Sequence, residues 1–210
     1  MGTGFLVHFS NLIVKNQNRD LKRAGNMTNE EVLEKLKNGN RQYIESGVNS
    51  GNVSERIRLK TATDGQHPYA IIICCSDSRV LPESIFSAGI GELFVIRVAG
   101  NVLDNHQLGS IEYAASHLDA NVILMLGHTK CGAIGATIKG KTEGYIKYIT
   151  DDIKDAIGDE CDDYKATCLN VQHGVEEIQN AFKEHPEIQS DELAIIGAVY
   201  HIDTGVVDWV

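Results

Sequence analysis

With 210 residues and a mass of 23.0 kDa, the chain is long enough for one well-buried domain and too short for two comfortable ones. Its hydrophobic (42%) and charged (23%) fractions are those of an ordinary globular protein. A formal charge of -10 with a pI near 5.2 argues against nucleic acid or an anionic membrane as the main partner.

The leading segment is weakly apolar at Phe5–Phe9 and Leu12–Val14 and polar from Lys15 to Gly25. It lacks the basic flank and small-residue cleavage site of an export signal and is too short to span a bilayer. Met27 has the character of a natural start, so residues 1–26 read as an upstream extension and 27–210 as the domain. Thr28 and Glu31 then form a capping box that opens a helix. An apolar stripe of Val32, Leu33, Leu36, Tyr43 and Ile44 carries that helix over about 29–46, ending at Gly47. The stripe can pack on its own domain or on a partner subunit.

Four short apolar runs follow: Tyr69–Cys74, Leu93–Val98, Val122–Leu126 and Leu193–Val199. Each has the character of a strand buried on both faces. Helical stretches at Pro82–Ala88, Gln107–Leu118, Ala133–Ile138 and discontinuously over 143–184 separate them. The alternation predicts an α/β fold: a central, mainly parallel sheet of four strands flanked by helices, with an N-terminal helical arm. The acidic run Asp159–Asp163 reads as a solvated loop.

Chemistry concentrates in Cys75-x-Asp77-x-Arg79 and His128-x-x-Cys131. Cys75, His128 and Cys131 are zinc-type ligands, one short of the tetrahedral set of a closed structural site, and an open fourth position is where water is activated. Asp77 can orient a metal-bound hydroxide, and Arg79 can hold Asp77 ionised. For Cys75 and His128 to share one ion, the first and third strands must be neighbours, which gives the order 2-1-3-4. The reversal point between those strands is where open α/β sheets bind ligands. Cys74 points to the opposite face from Cys75 and reads as core, while Cys161 and Cys168 lie in a polar helical region with no assigned role. Five cysteines without disulfide spacing, two of them thiolate ligands, fit the reducing cytoplasm.

These stretches resemble those of β-class carbonic anhydrases of a bacterial branch. The likeness extends from about Met27 to the C-terminus. It rests on Gly65–Pro68, Cys75–Arg79, Gly91–Phe94, Arg97–Asn101, Ser110–Ala114, Gly127–Gly132, Gly197–Tyr200 and Thr204–Gly205. The resemblance implies one Zn2+ per subunit on Cys75, His128 and Cys131, with Asp77 and Arg79 as the catalytic dyad. It further implies that Gln66 donates to substrate from a neighbouring subunit, that Phe94 and Tyr113 form an apolar wall, and that Gly132 makes a backbone contact beside the metal. His117, one turn after Tyr113, matches a proton-shuttle position. Ala99 stands where plant-like members have valine and leaves more room beside the metal; the Arg-x-Ala-Gly-Asn form resembles another large bacterial branch. The implied activity is reversible hydration of CO2 to bicarbonate by a cytoplasmic homodimer or higher homo-oligomer. The alternatives are hydrolysis of carbonyl sulfide or carbon disulfide at the same site, or a non-catalytic zinc or thiol sensor.

Overall fold

The computed structural model describes residues 27–183 and 193–210, so the expected leading extension lies outside the described residues. Helix α1 (Asn29–Ser46) starts at the Thr28 capping box, where Thr28 Oγ1 accepts from the Glu31 amide and Glu31 accepts from the Thr28 amide. It stops at Gly47, whose φ of 68° is the left-handed conformation that glycine adopts most cheaply. Val32 and Leu36 bury in the chain's own core, so the arm packs on its own domain. Ile44, expected on the inner face, is exposed. At about 100° per residue it stands a quarter-turn from the row defined by Val32, Leu36 and Tyr43.

A second helix, α2 (Glu55–Asp64), lies outside the helical stretches expected from the sequence. Ser54 caps it, but no residue on it is buried and Leu59 is 60% exposed. It therefore carries no hydrophobic periodicity to read. Strand β1 (Ala70–Cys74) leads to the single turn α3 (Pro82–Ile85), shorter than the stretch expected there. Next come β2 (Leu93–Arg97), a 3-10 turn (Ala99–Asn101) and α4 (Asn105–His117). Strand β3 (Val122–His128) is followed by α5 (Gly132–Ile138), α6 (Ile146–Ile157), α7 (Asp163–Lys183) and β4 (Ala194–Tyr200).

The sheet has five strands in the order β2-β1-β3-β4-β5. Four are parallel in the expected order, and β5 (Val207–Trp209) adds an antiparallel edge. The four-strand expectation is thus corrected by one; a three-residue segment with Asp208 at its centre has no apolar run to announce it. Strands β1 and β3 are buried along their whole length. One face, bearing Ile72, Cys74, Leu124 and Leu126, packs on Val32, Leu36, Ile85 and Phe86. The other, bearing Ile71, Ile73, Ile123 and Met125, packs on Ile111 and Ala114 of α4 and Val171, Ile178 and Phe182 of α7. Each such valine, leucine, isoleucine, phenylalanine or methionine removed from water contributes about 1.5–3 kcal/mol. Helix α7 comes so close to β3 that a Cβ at Gly127 would stand 2.6 Å from Val171 Cγ2 and 2.9 Å from Thr167 Cγ2. Parallel strands bring every carboxyl end to one edge, and that edge holds the ligating residues. Among the described residues, no helix is long and apolar enough to cross a membrane.

Candidate metal centre

Cys75 directly follows β1, and His128 ends β3, two residues past the Leu126 that pairs with Cys74. Cys131 is the N-cap of α5. The two cysteine sulfurs and a His128 ring nitrogen converge within 4.8 Å of one another, and all three residues are buried. Their surroundings are apolar: Ile134, Ile153, Ile157 and Ala166 close round the two thiols. Cys74 faces the opposite core cluster, where burial pushes its thiol up to about 12.

Several features fit this trio to a metal ion. His128 Nδ1 lies 3.0 Å from the Thr129 carbonyl. A carbonyl only accepts, so Nδ1 carries the proton and Nε2 keeps its lone pair. That Nε2 is buried and, among the described residues, has no hydrogen-bond partner. A buried nitrogen without a partner is costly unless it ligates something. All five cysteines are free thiols, so none of the donors is spent in a disulfide. The Cys131 thiol is the main influence pulling Cys75 well below the usual thiol range, with His128 and the Gly100 amide adding to it. Cys131 is pushed up in return, first by its hydrogen bond to Cys75 and then by burial. Two thiols this close cannot both ionise without a cation between them. Among the described residues, the cluster has three donors, the number that leaves a tetrahedral ion one open position.

The dyad stands beside the trio. Arg79 Nε donates to Asp77 Oδ1 at 2.9 Å, and Nη2 donates to Oδ2 at 2.7 Å, a two-pronged fork. The guanidinium is the largest influence holding the Asp77 carboxyl well below the usual carboxylate range. Asp77 Oδ2 is 4.0 Å from His128 Nε2. The carboxylate therefore stands beside the donor trio while its own charge is engaged by Arg79.

Two residues whose motif was visible but whose role was not complete the frame. Arg97 donates from Nε and Nη2 to the Cys75 carbonyl at 3.1 and 3.0 Å, and from Nη2 to the Asp77 carbonyl at 2.7 Å. It thereby fixes the backbone between ligand and dyad. The Gly100 amide donates to Cys75 Sγ at 3.3 Å, and the Gly100 carbonyl accepts from Asn170 Nδ2 at 2.9 Å. Ala99 precedes that peptide, and Gly132 follows Cys131 with nothing within 4 Å of where a Cβ would stand.

The remaining expected site residues lie elsewhere in the chain. Gln66 is exposed, before β1, at the opposite end of the sheet. Phe94 pairs with Ile71, four residues before Cys75, or ~13 Å along the strand at about 3.3 Å per residue. Its ring is 6.2 Å from that of Tyr113, which stacks on His117 at 5.2 Å. This aromatic strip flanks the edge strand β2, and Tyr113 is 48% exposed. The structure unites Cys75, His128, Cys131, Asp77 and Arg79 and leaves Gln66, Phe94, Tyr113 and His117 remote from them in the same chain.

The family profile described as carbonic anhydrase matches residues 70–207 of this chain. The chain belongs to the carbonic anhydrase family. A carbonic anhydrase of Mycolicibacterium smegmatis is 33% identical over 82% of this chain and 89% of that protein. Carbonic anhydrase 2 of Mycobacterium tuberculosis is 33% identical over 81% of this chain and 87% of its own length. Among solved structures, the Coccomyxa β-carbonic anhydrase in complex with acetazolamide superposes with a TM-score of 0.62 at 28% identity, covering 81% of this chain and 82% of that one. These relatives and the sheet order place the protein in the β class of carbonic anhydrases.

Proposed function

We propose that this carbonic anhydrase catalyses the reversible hydration of CO2 to bicarbonate and a proton, with one Zn2+ per subunit held by Cys75, His128 and Cys131. The observation that carries the reading is a buried, partnerless His128 Nε2 converging with two thiols beside an ionised Asp77. When bound, zinc supplies a Lewis acid that lowers the pKa of water and so provides a nucleophile at neutral pH. The rest is done by the chain. Asp77 Oδ2, 4.0 Å from the imidazole nitrogen, accepts a hydrogen bond from the O–H of the attacking water and turns its lone pair toward CO2. Arg79 keeps Asp77 charged, so that it accepts and does not donate. Ala99 and Gly132 leave room beside the metal for the small substrate.

Gln66, Phe94 and Tyr113 cannot reach the metal of their own chain, so a second copy supplies them, and the working unit is a homodimer or a higher homo-oligomer. The edge strand β2 and helix α2, none of whose residues is fully buried in its own subunit, supply surface for that contact. His117, exposed and stacked on Tyr113, is placed to pass the product proton to buffer. Free thiols at the ligating positions suit a cytoplasmic enzyme. An intact dyad beside an open centre speaks against a non-catalytic sensor. The test is stopped-flow CO2 hydration by purified, zinc-loaded protein alongside sulfide release from carbonyl sulfide. Hydration should dominate; dominant sulfide release would assign the other reaction.

A further inference from the structure

We infer that Asp163, at the start of α7, is a positioning residue for the Asp77–Arg79 dyad and acts through the backbone of Lys130; the inference rests on the reading of that dyad as catalytic. Lys130 lies between His128 and Cys131 and is one of the few non-glycine residues with positive φ, at 57°. A lysine in the left-handed region is strained, so something must hold it there. The hold is visible. The Lys130 amide donates to Asp163 Oδ2 at 2.8 Å. On the other side of the same residue, the Lys130 carbonyl accepts from Arg79 Nη2 at 3.2 Å. That same Nη2 donates to Asp77 Oδ2 at 2.7 Å. A continuous line of polar contacts therefore runs from α7 to the carboxylate facing the metal position.

The Asp163 carboxylate is not occupied by its own helix. Asp162 does the capping, its Oδ1 accepting from the Lys165 amide at 3.0 Å and its carbonyl from the Ala166 amide at 2.9 Å. Asp163 is thus free to reach across to another segment. The Lys130 side chain takes no part in the relay: its ammonium lies 3.6 Å from Asp203, with both groups about 60% exposed. Such a surface pair contributes little. With Asp163 truncated, the Lys130 residue relaxes toward negative φ, its carbonyl turns, and Arg79 loses the contact that keeps its fork square on Asp77. Among the described residues, this half-exposed guanidinium has no other backbone acceptor to fix it.

The experiment compares zinc-loaded wild type with Asp163→Ala and Asp163→Asn. Asparagine keeps an oxygen that accepts from the Lys130 amide and loses the charge. The Ala variant should lower kcat and kcat/KM together by about tenfold, as expected for a misaligned transition-state group, with zinc content unchanged. The Arg79 Nε–H resonance, assigned with Arg79→Lys, should shift or broaden in the Ala variant, and the Asn variant should restore both readouts. Equal losses in Ala and Asn would mean that the charge acts only on the dipole of α7, and would overturn the proposal. So would an unchanged resonance and rate in Ala. In wild-type protein itself the Lys130 amide should exchange at least about tenfold more slowly than a free amide; fast exchange would overturn the proposal even if the Ala variant fails to fold. If Asp77→Asn remains fully active, the dyad reading fails; if it loses activity while Asp163→Ala does not, only this inference fails.

Discussion

Replacing Gly100 by alanine tests the geometry at the point where fold and metal centre meet. Gly100 is buried with φ of 71°, a region that costs an alanine ~1–2 kcal/mol. The new methyl would stand 2.7 Å from Ile153 Cδ1, 3.0 Å from Ala133 Cβ and 3.4 Å from Ile149 Cγ2. Overpacking of that kind costs about 1–3 kcal/mol in a dense core. The two penalties sum to roughly 2–5 kcal/mol, and with ~2–4 °C lost per kcal/mol in a chain of this size the midpoint should fall by about 10 °C. Thermal unfolding followed by circular dichroism on metal-free protein gives the number without contribution from zinc binding. Because the Gly100 amide donates to Cys75 Sγ, the displaced peptide should also weaken metal retention, seen as faster loss of zinc to a chelator. Gly135→Ala is the internal control. It lies within helix α5 with nothing within 4 Å of the new Cβ, and it should be neutral or stabilise by up to about 1 kcal/mol. If Gly100→Ala melts with wild type, the packing of α6 over the metal centre is wrong.

Asp77→Asn should keep stoichiometric zinc and lose on the order of 10²-fold or more in CO2 hydration; full activity in stopped flow would remove Asp77 from the mechanism. Chelation should lower the midpoint, and zinc at a hundredfold excess over its dissociation constant should return about 2.7 kcal/mol, readable by calorimetry; His128→Ala should show no such response to zinc. Asp77 has a depressed folded pKa, so its stabilising contribution is complete above the unfolded carboxylate value of about 3.9 and is lost as pH falls through the lower folded one. In metal-free protein Asp77→Asn should therefore flatten the stability–pH slope below that value; identical slopes would show that the ion pair is absent in solution. Leu59→Asp, on the outer face of α2, should reduce the mass seen by light scattering and lower activity per chain. An unchanged mass would exclude α2 from the subunit contact.

Much of this was legible because the physics is local. The strands buried on both faces must be apolar runs, and Ile71–Ile73 and Val122–Leu126 read that way. A shared ion would by itself require β1 beside β3, and the observed order agrees. What escaped is what depends on tertiary partners. Helix α2 has no fully buried residue, and β5 is three residues held by a neighbour. The acidic run 159–163 was expected to be a solvated loop, yet Asp162 caps α7 and Asp163 grips the Lys130 amide 33 residues away. A carboxylate at a helix start suggests a cap; which distant amide it finds cannot be read from spacing. Arg97 is similar. Its motif is plain, but that its fork closes on two carbonyls flanking Ser76 follows only from the way β2 lies against β1.

Asn40 binds widely separated parts of the chain at one point. Its Nδ2 donates to the Ile85 and Gly205 carbonyls at 3.2 and 2.9 Å, and its Oδ1 accepts from the Val207 amide at 3.1 Å. A buried amide in this position satisfies groups that would otherwise be dry, so α1 docks only where all of them are present. During synthesis the arm is made well before Gly205 and Val207, which follow β4 in the chain. Its Asn40 clasp can close only after β4 has been made.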